Sequence, residues 1–169
     1  MMKFSTCDLC DAHENSLGDT LHVLPDVFRI YGAQQPFAGQ VHTVKCHDDA
    51  GTLDNSKVRE AVVASGQGRV LVIDGAGLPH RALLGGNLAV IAAKNDWVGV
   101  VVYGAVRDAA ELVEAKLPVR ALALCPMRTA KLGLGERGVK IPLSDVTIQD
   151  GDWLYADEDG MVTSRLPIH

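Results

Sequence analysis

The sequence predicts an α/β domain: a mixed sheet with a parallel core, helices packed on it, and antiparallel β at its C-terminal end. Three observations carry that expectation. The runs at 69–74 (RVLVID) and 97–103 (WVGVVVY) are almost wholly apolar and short, as strands buried on both faces are. Helical patterns alternate with these runs, which implies parallel strands joined by crossovers. After Cys125 the alternation stops and short strands separated by Asp- and Gly-containing turns take over.

The first element is a helix over 5–15, started by Ser5 or Thr6 ahead of apolar residues at i, i+3 spacing. That phase puts Cys7 and Cys10 on its apolar face, so the C-x-x-C reads as structural thiols and not as a redox or metal pair. Residues 21–37 read as irregular, punctuated by Pro25, Gly32 and Pro36. Residues 40–46 alternate as a half-buried strand does, with Val41, Thr43 and Lys45 on one side and His42, Val44 and Cys46 on the other. A turn at 47–49 precedes a helix over about 53–65, and the strand over 69–74 runs into Gly75-Ala76-Gly77. A helix over 86–95, the strand over 97–103, a helix over 108–116 ended by Pro118 and a strand over 119–124 follow. Short strands are expected at 139–141, 146–148, 153–155 and 161–164, the last two joined by a hairpin turn at 157–160. With no internal repeat or linker, residues 1–169 read as a single domain.

Bulk charge narrows the partners. A net charge of −5 argues against general binding of nucleic-acid phosphates, while leaving contact with a basic protein open. No apolar run reaches the length of a membrane span, and the N-terminus has no signal-peptide core, so a cytoplasmic location away from membranes is expected.

Chemistry concentrates between Gly85 and Glu111. Ligands of open α/β sheets gather beyond the carboxyl ends of the strands, which is where Arg107-Asp108 emerges. Gly85-Gly86-Asn87 opens the preceding helix, and the free N–H groups of a helix start favour a carboxylate or phosphate. Arg107 offers a planar fork for a carboxylate or carbonyl oxygen, and Asp108 could ligate Mg2+ or Mn2+. The same pair also reads as an exposed ion pair in which Asp108 caps its own helix, with Glu111 completing a capping box. Gly75-Ala76-Gly77 lacks the third glycine of a dinucleotide-binding turn, and no P-loop motif exists. His42 and His47 near Asp48 and Asp49 read as surface histidines ahead of a metal cluster, Lys45 as a solvent-facing lysine or a Schiff-base candidate, and the basic residues of 128–140 as a solvated loop ahead of a contact for an acidic partner.

Four segments carry a family likeness: FAGQVHTVKC (37–46), GRVLVIDGAG (68–77), WVGVVVYGAVRD (97–108) and GDWLYADEDGM (151–161). Together they make the chain resemble the regulator of ribonuclease activity A family, whose wider group includes class II 4-hydroxy-4-methyl-2-oxoglutarate aldolases. That group's pattern of Gly, twenty residues, Arg-Asp, two residues and an acidic residue matches Gly86, Arg107, Asp108 and Glu111. The resemblance implies a β/β/α swivelling-type fold, assembled as a homotrimer or a dimer of trimers. It implies a divalent-metal-dependent lyase that cleaves 2-oxo acids to pyruvate and decarboxylates oxaloacetate. The substrate would be bound by Gly85, Gly86, Asn87, Leu88 and Arg107, with the metal on Asp108 and Glu111 behind it orienting water. The alternative it implies is a non-enzymatic regulator that binds and inhibits ribonuclease E, although some regulator-type members lack the aspartate found here as Asp108. Some relatives carry Asp at the position of Gly86. The larger aldolases have a C-terminal extension that supplies an acidic residue to a neighbour, whereas this chain stops at His169.

Overall fold

The computed structural model describes residues 3–169; Met1 and Met2, the first residues of the 1–169 span, lie outside the described residues. The centre is a parallel array in spatial order β3 (Phe37–Lys45), β4 (Val70–Asp74), β6 (Gly99–Val106), β7 (Pro118–Leu124). Each strand lies beside its predecessor. Crossovers of one preferred hand, advancing in one direction, put all their helices on the same face. Accordingly α2 (Ser56–Val63), α3 (Gly86–Lys94) and α4 (Ala109–Glu114) share one core with Val44, Leu71, Ile73, Val100 and Val102 of the strands.

The opposite face needs another cover, and the C-terminal third supplies it. Val41, Val70, Val72 and Val101 point into a second core with Ile141, Leu143, Val146 and Ile148. These come from the separate antiparallel pair β9 (Ile141–Leu143) and β10 (Val146–Ile148). The layers are therefore β/β/α on a mixed sheet, as the fold class predicted. The hairpin of β11 (Trp153–Ala156) and β12 (Met161–Ser164) extends the main sheet from β3, with the tight turn expected at 157–160.

Several elements depart from the sequence reading. The segment 21–37 contains two strands, β1 (Leu21–Val23) on β12 and β2 (Arg29–Gly32) on β7, which form the two sheet edges. β3 is covered on both faces from Val41 to Val44 instead of half-buried, because helices lie on one side and β9–β10 on the other. α1 (Thr6–Ala12) is capped by Ser5, whose hydroxyl accepts from Asp8 N–H at 3.4 Å, but its buried residues are Thr6 and Leu9. Cys7 is exposed beside Asp159, whose charge raises its thiol pKa. No helix among the described residues is long and apolar enough to cross a membrane.

Candidate functional site

The site exists because of β5 (Ala82–Leu84), a three-residue strand absent from the sequence reading. β6 runs past the end of β4, and β5 fills the vacated place, pairing in parallel with Ala105 and Val106. Arg107 N–H donates to Leu84 O at 3.0 Å. Leu84 leads straight into Gly85, the N-cap of α3, so the helix start and Arg107-Asp108 become neighbours.

At that junction the Asp108 carboxylate accepts from Gly86 N–H at 3.0 Å. Asp108 occupies the N-cap position of α4 with left-handed backbone (φ 60°), yet its side chain makes no bond to that helix. It caps α3 instead, which overturns the self-capping reading. Its second oxygen takes no hydrogen bond among the described residues, and its side chain is 37% exposed. Arg107 Nε lies 3.8 Å from the same carboxylate, and its terminal nitrogen donates to Pro126 O at 3.5 Å.

Both glycines are required by close approach. A Cβ at Gly85 would stand 2.6 Å from an Asp108 oxygen and 3.2 Å from Arg107 Cγ, and one at Gly86 would run into the side chain of Glu111. The space they leave is filled by the side chains of Arg107, Asp108 and Glu111. Asn87 is exposed at the second helical position, and the Leu88 side chain is 7% exposed within the helix-side core. Backbone N–H groups at these positions are the unpaired donors of a helix start.

The junction forms one wall of a cleft of about 140 Å³, whose lining includes Arg59, Arg107, Asp108, Arg128 and Lys131. The sequence gives no sign of Arg59 here, and it marks Arg128 and Lys131 only as part of a basic stretch, solvated or in contact with an acidic partner, without placing them at this cleft. Arg137 and Lys140, from the same stretch, do not line the cleft. A signal was present in the density of cations over 128–140, but placing two of them here required knowing where the loop is tied. The ties are specific. Asp54, wholly buried, accepts from Ser56 N–H at 2.7 Å and from Leu132 N–H. Thr129 Oγ1 accepts from Asn55 N–H at 3.2 Å, and Gly133 N–H donates to Ser56 Oγ at 3.1 Å.

Other sequence candidates lie outside the cleft. Lys45 rests 3.9 Å from Asp49 and does not line it. The histidines are not surface groups. His42 is 8% exposed with Nδ1 2.8 Å from Asp150, and burial lowers its pKa against the opposing pull of that carboxylate. His47 Nε2 lies 2.8 Å from the buried Asp74. Cys46 is buried in the helix-side core, and burial raises its thiol pKa.

Among the described residues no group of three or more His, Cys, Asp or Glu is placed to hold a metal. A hard cation that keeps most of its waters needs only one or two carboxylates, and the partly exposed Asp108, with one oxygen free of hydrogen bonds among the described residues, fits that requirement.

Comparison with known proteins comes down on one family. The RraA-like model, described as Aldolase/RraA, matches residues 6–163. A protein of Albidiferax ferrireducens named "Putative 4-hydroxy-4-methyl-2-oxoglutarate aldolase" is 49% identical over 94% of both chains. Among solved structures, the RNA-processing inhibitor RraA from Thermus thermophilis superposes with a TM-score of 0.88 at 40% identity, covering 98% of this chain and 95% of that one. A Geobacillus kaustophilus structure named S-adenosylmethionine:2-dimethylmenaquinone methyltransferase gives 0.87 at 36% identity, covering 97% and 96%. Three names on one fold leave the activity to be argued from the site.

Proposed function

Because the chain belongs to the RraA-like (Aldolase/RraA) family, we propose that it is a lyase releasing pyruvate from 4-hydroxy-4-methyl-2-oxoglutarate-type 2-oxo acids, with oxaloacetate decarboxylation at the same site. The aldolase name of a relative 49% identical supports an enzyme. The observation that carries the finer reading is the junction itself: a guanidinium, a helix start and a partly free carboxylate meet at one end of a cationic cleft.

The substrate's C1 carboxylate sits against the N–H groups of Asn87 and Leu88 at the start of α3, where the helix dipole favours negative charge. Gly86 N–H is occupied by Asp108, so Gly85 and Gly86 contribute chiefly by letting the two walls approach. Arg107 faces the 2-oxo oxygen. When the C3–C4 bond breaks, its electron pair moves toward C2 and charge gathers on that oxygen, where the guanidinium stabilises the enolate. In retro-aldol cleavage the 4-hydroxyl proton passes to water as the second carbonyl forms; in oxaloacetate the departing group is carbon dioxide. Proton transfer from water to C3 then gives pyruvate in both cases. Asp108, with Glu111 behind it to orient water, would hold a Mg2+ or Mn2+ ion. Such an ion supplies Lewis-acid polarisation of the 2-oxo acid.

The test is pyruvate release from 4-hydroxy-4-methyl-2-oxoglutarate and oxaloacetate with and without Mg2+. Turnover of both that needs the ion and Arg107 supports the reading; no release above the uncatalysed rate rejects it.

A second reading, inhibition of ribonuclease E by binding, is favoured by the name of the Thermus structure and by the net charge of −5. A low-salt pull-down with the C-terminal region of ribonuclease E tests it. Capture that salt weakens supports binding, and an empty pull-down rejects it.

A further inference from the structure

We infer that Arg59, Arg128 and Lys131 form a distal anion subsite that selects 2-oxo acids bearing a second carboxylate. The inference rests on the reading that the C1 and 2-oxo end of the substrate lies at Arg107 and the α3 start.

The charge balance of the cleft is the first observation. Four cations line a space of about 140 Å³, and Asp108 is the one carboxylate among the residues lining it. Arg107 lies beside that carboxylate at 3.8 Å. Among the described residues, neither Arg59 nor Arg128 nor Lys131 is paired with any Asp or Glu, although the chain carries 21 acidic residues against 16 Lys and Arg. Three unpaired cations held around one small space repel one another, and an anion entering it relieves that repulsion.

The second observation is that their backbone is held. Arg128 and Lys131 flank Thr129, which is 5% exposed and bonded to Asn55 N–H. Met127 O accepts from Ala82 N–H at 2.7 Å, Arg128 O from the Arg81 guanidinium at 3.1 Å, and Ala130 N–H donates to Leu53 O at 3.2 Å. Arg59 lies in α2, tied to the same loop through Asp54 and Ser56. Backbone fixed on both sides lets flexible cationic side chains close on a ligand at lower ordering cost than on a free loop. Asp54 is thus a positioning residue for the subsite, joining the two elements that carry it.

Chemistry then names the ligand class. Arg107 and the helix start account for one carboxylate and a carbonyl. The remaining cations line the same cleft and suit a second carboxylate, as in a five-carbon 2-oxo diacid. A 2-oxo monoacid of equal chain length would put a methyl group among them.

The experiment is calorimetric titration, at low ionic strength and with Mg2+ present, of 2-oxoglutarate against 2-oxopentanoate. The wild-type protein is expected to bind the diacid about 10- to 100-fold more tightly, the worth of one charge-assisted interaction. Arg128→Ala and Lys131→Ala, both at exposed positions, are expected to erase most of that preference while leaving 2-oxopentanoate binding unchanged. Equal wild-type affinities, no binding of either acid, or variants that weaken both acids alike would overturn the subsite. Selective diacid binding by a protein that releases no pyruvate would keep the subsite and reject the lyase reading.

Discussion

The carboxylate of Asp108 caps a helix that is not its own: it accepts from Gly86 N–H at 3.0 Å, at the start of α3, while α4, which it precedes, has no side-chain cap. One oxygen thus ties two crossover units together, and the other takes no hydrogen bond among the described residues. The residue has a structural and a chemical task, and substitutions can separate them.

Asp108→Asn keeps an acceptor for Gly86 N–H and removes the charge. The variant is expected to unfold within a few tenths of a kcal/mol of wild type while losing pyruvate release. Asp108→Ala loses the cap as well, at about 1 kcal/mol. Urea unfolding of the two variants beside the activity assay checks the separation; equal destabilisation by both would mean that the bond to Gly86 is not what the carboxylate contributes.

Gly86→Ala forces the new methyl group against Glu111. Overpacking of this kind costs about 1–3 kcal/mol, and here it also displaces the acidic residue behind Asp108. Lower thermal stability together with lower turnover is expected. A variant as stable as wild type would show that Glu111 moves aside freely.

Arg107→Ala should lower turnover by about 10²–10³, equivalent to about 3–4 kcal/mol, because its interaction strengthens as charge builds on the 2-oxo oxygen. The side chain is 40% exposed, so stability should scarcely change. Steady-state rates and a melting curve on the same preparation test both halves.

Acid should weaken the fold in two stages. His42 is held neutral by burial, its pKa below the ordinary value, so its contribution is present above about pH 6.5 and is lost as pH falls through the folded value. Burial pushes the Asp54 carboxyl up, but hydrogen bonds from Ser56, Leu132 and Leu134 outweigh it and leave the pKa lowered. Asp157 follows the same pattern, with Thr6 donating from both N–H and hydroxyl at 2.7 and 2.6 Å. For these two, stability is present above about pH 4 and is lost below it. Denaturant midpoints measured from pH 8 to 3 should fall first below about 6.5 and again below about 4. A flat profile between pH 7 and 5 would contradict the His42 assignment.

The central strands and the three crossover helices were legible because each buries a continuous face, which leaves a periodic trace in the sequence. β5 was not. Ala82-Leu83-Leu84 is too short to show a period, and it is a strand because β6 overhangs β4 and offers an unpaired edge. β1 and β2 are likewise edges, made by partners more than 80 residues away in the chain. The phase of α1 was misread because a seven-residue helix is about two turns, and Thr6 with Leu9 competes with Cys7 and Cys10 for the buried side. Within the site, Gly85, Gly86, Arg107, Asp108 and Glu111 stood out by spacing and by resemblance. Arg59, Arg128 and Lys131 did not, since a surface cation acquires meaning only from what the fold sets opposite it.

The most direct measurement of the proposed lyase is pyruvate release from 4-hydroxy-4-methyl-2-oxoglutarate by wild-type protein with Mg2+, by the same protein after EDTA, and by Asp108→Asn. Turnover that EDTA abolishes, that Mg2+ restores and that Asp108→Asn lacks is the expected result. Undiminished release by the chelated protein or by Asp108→Asn would contradict it.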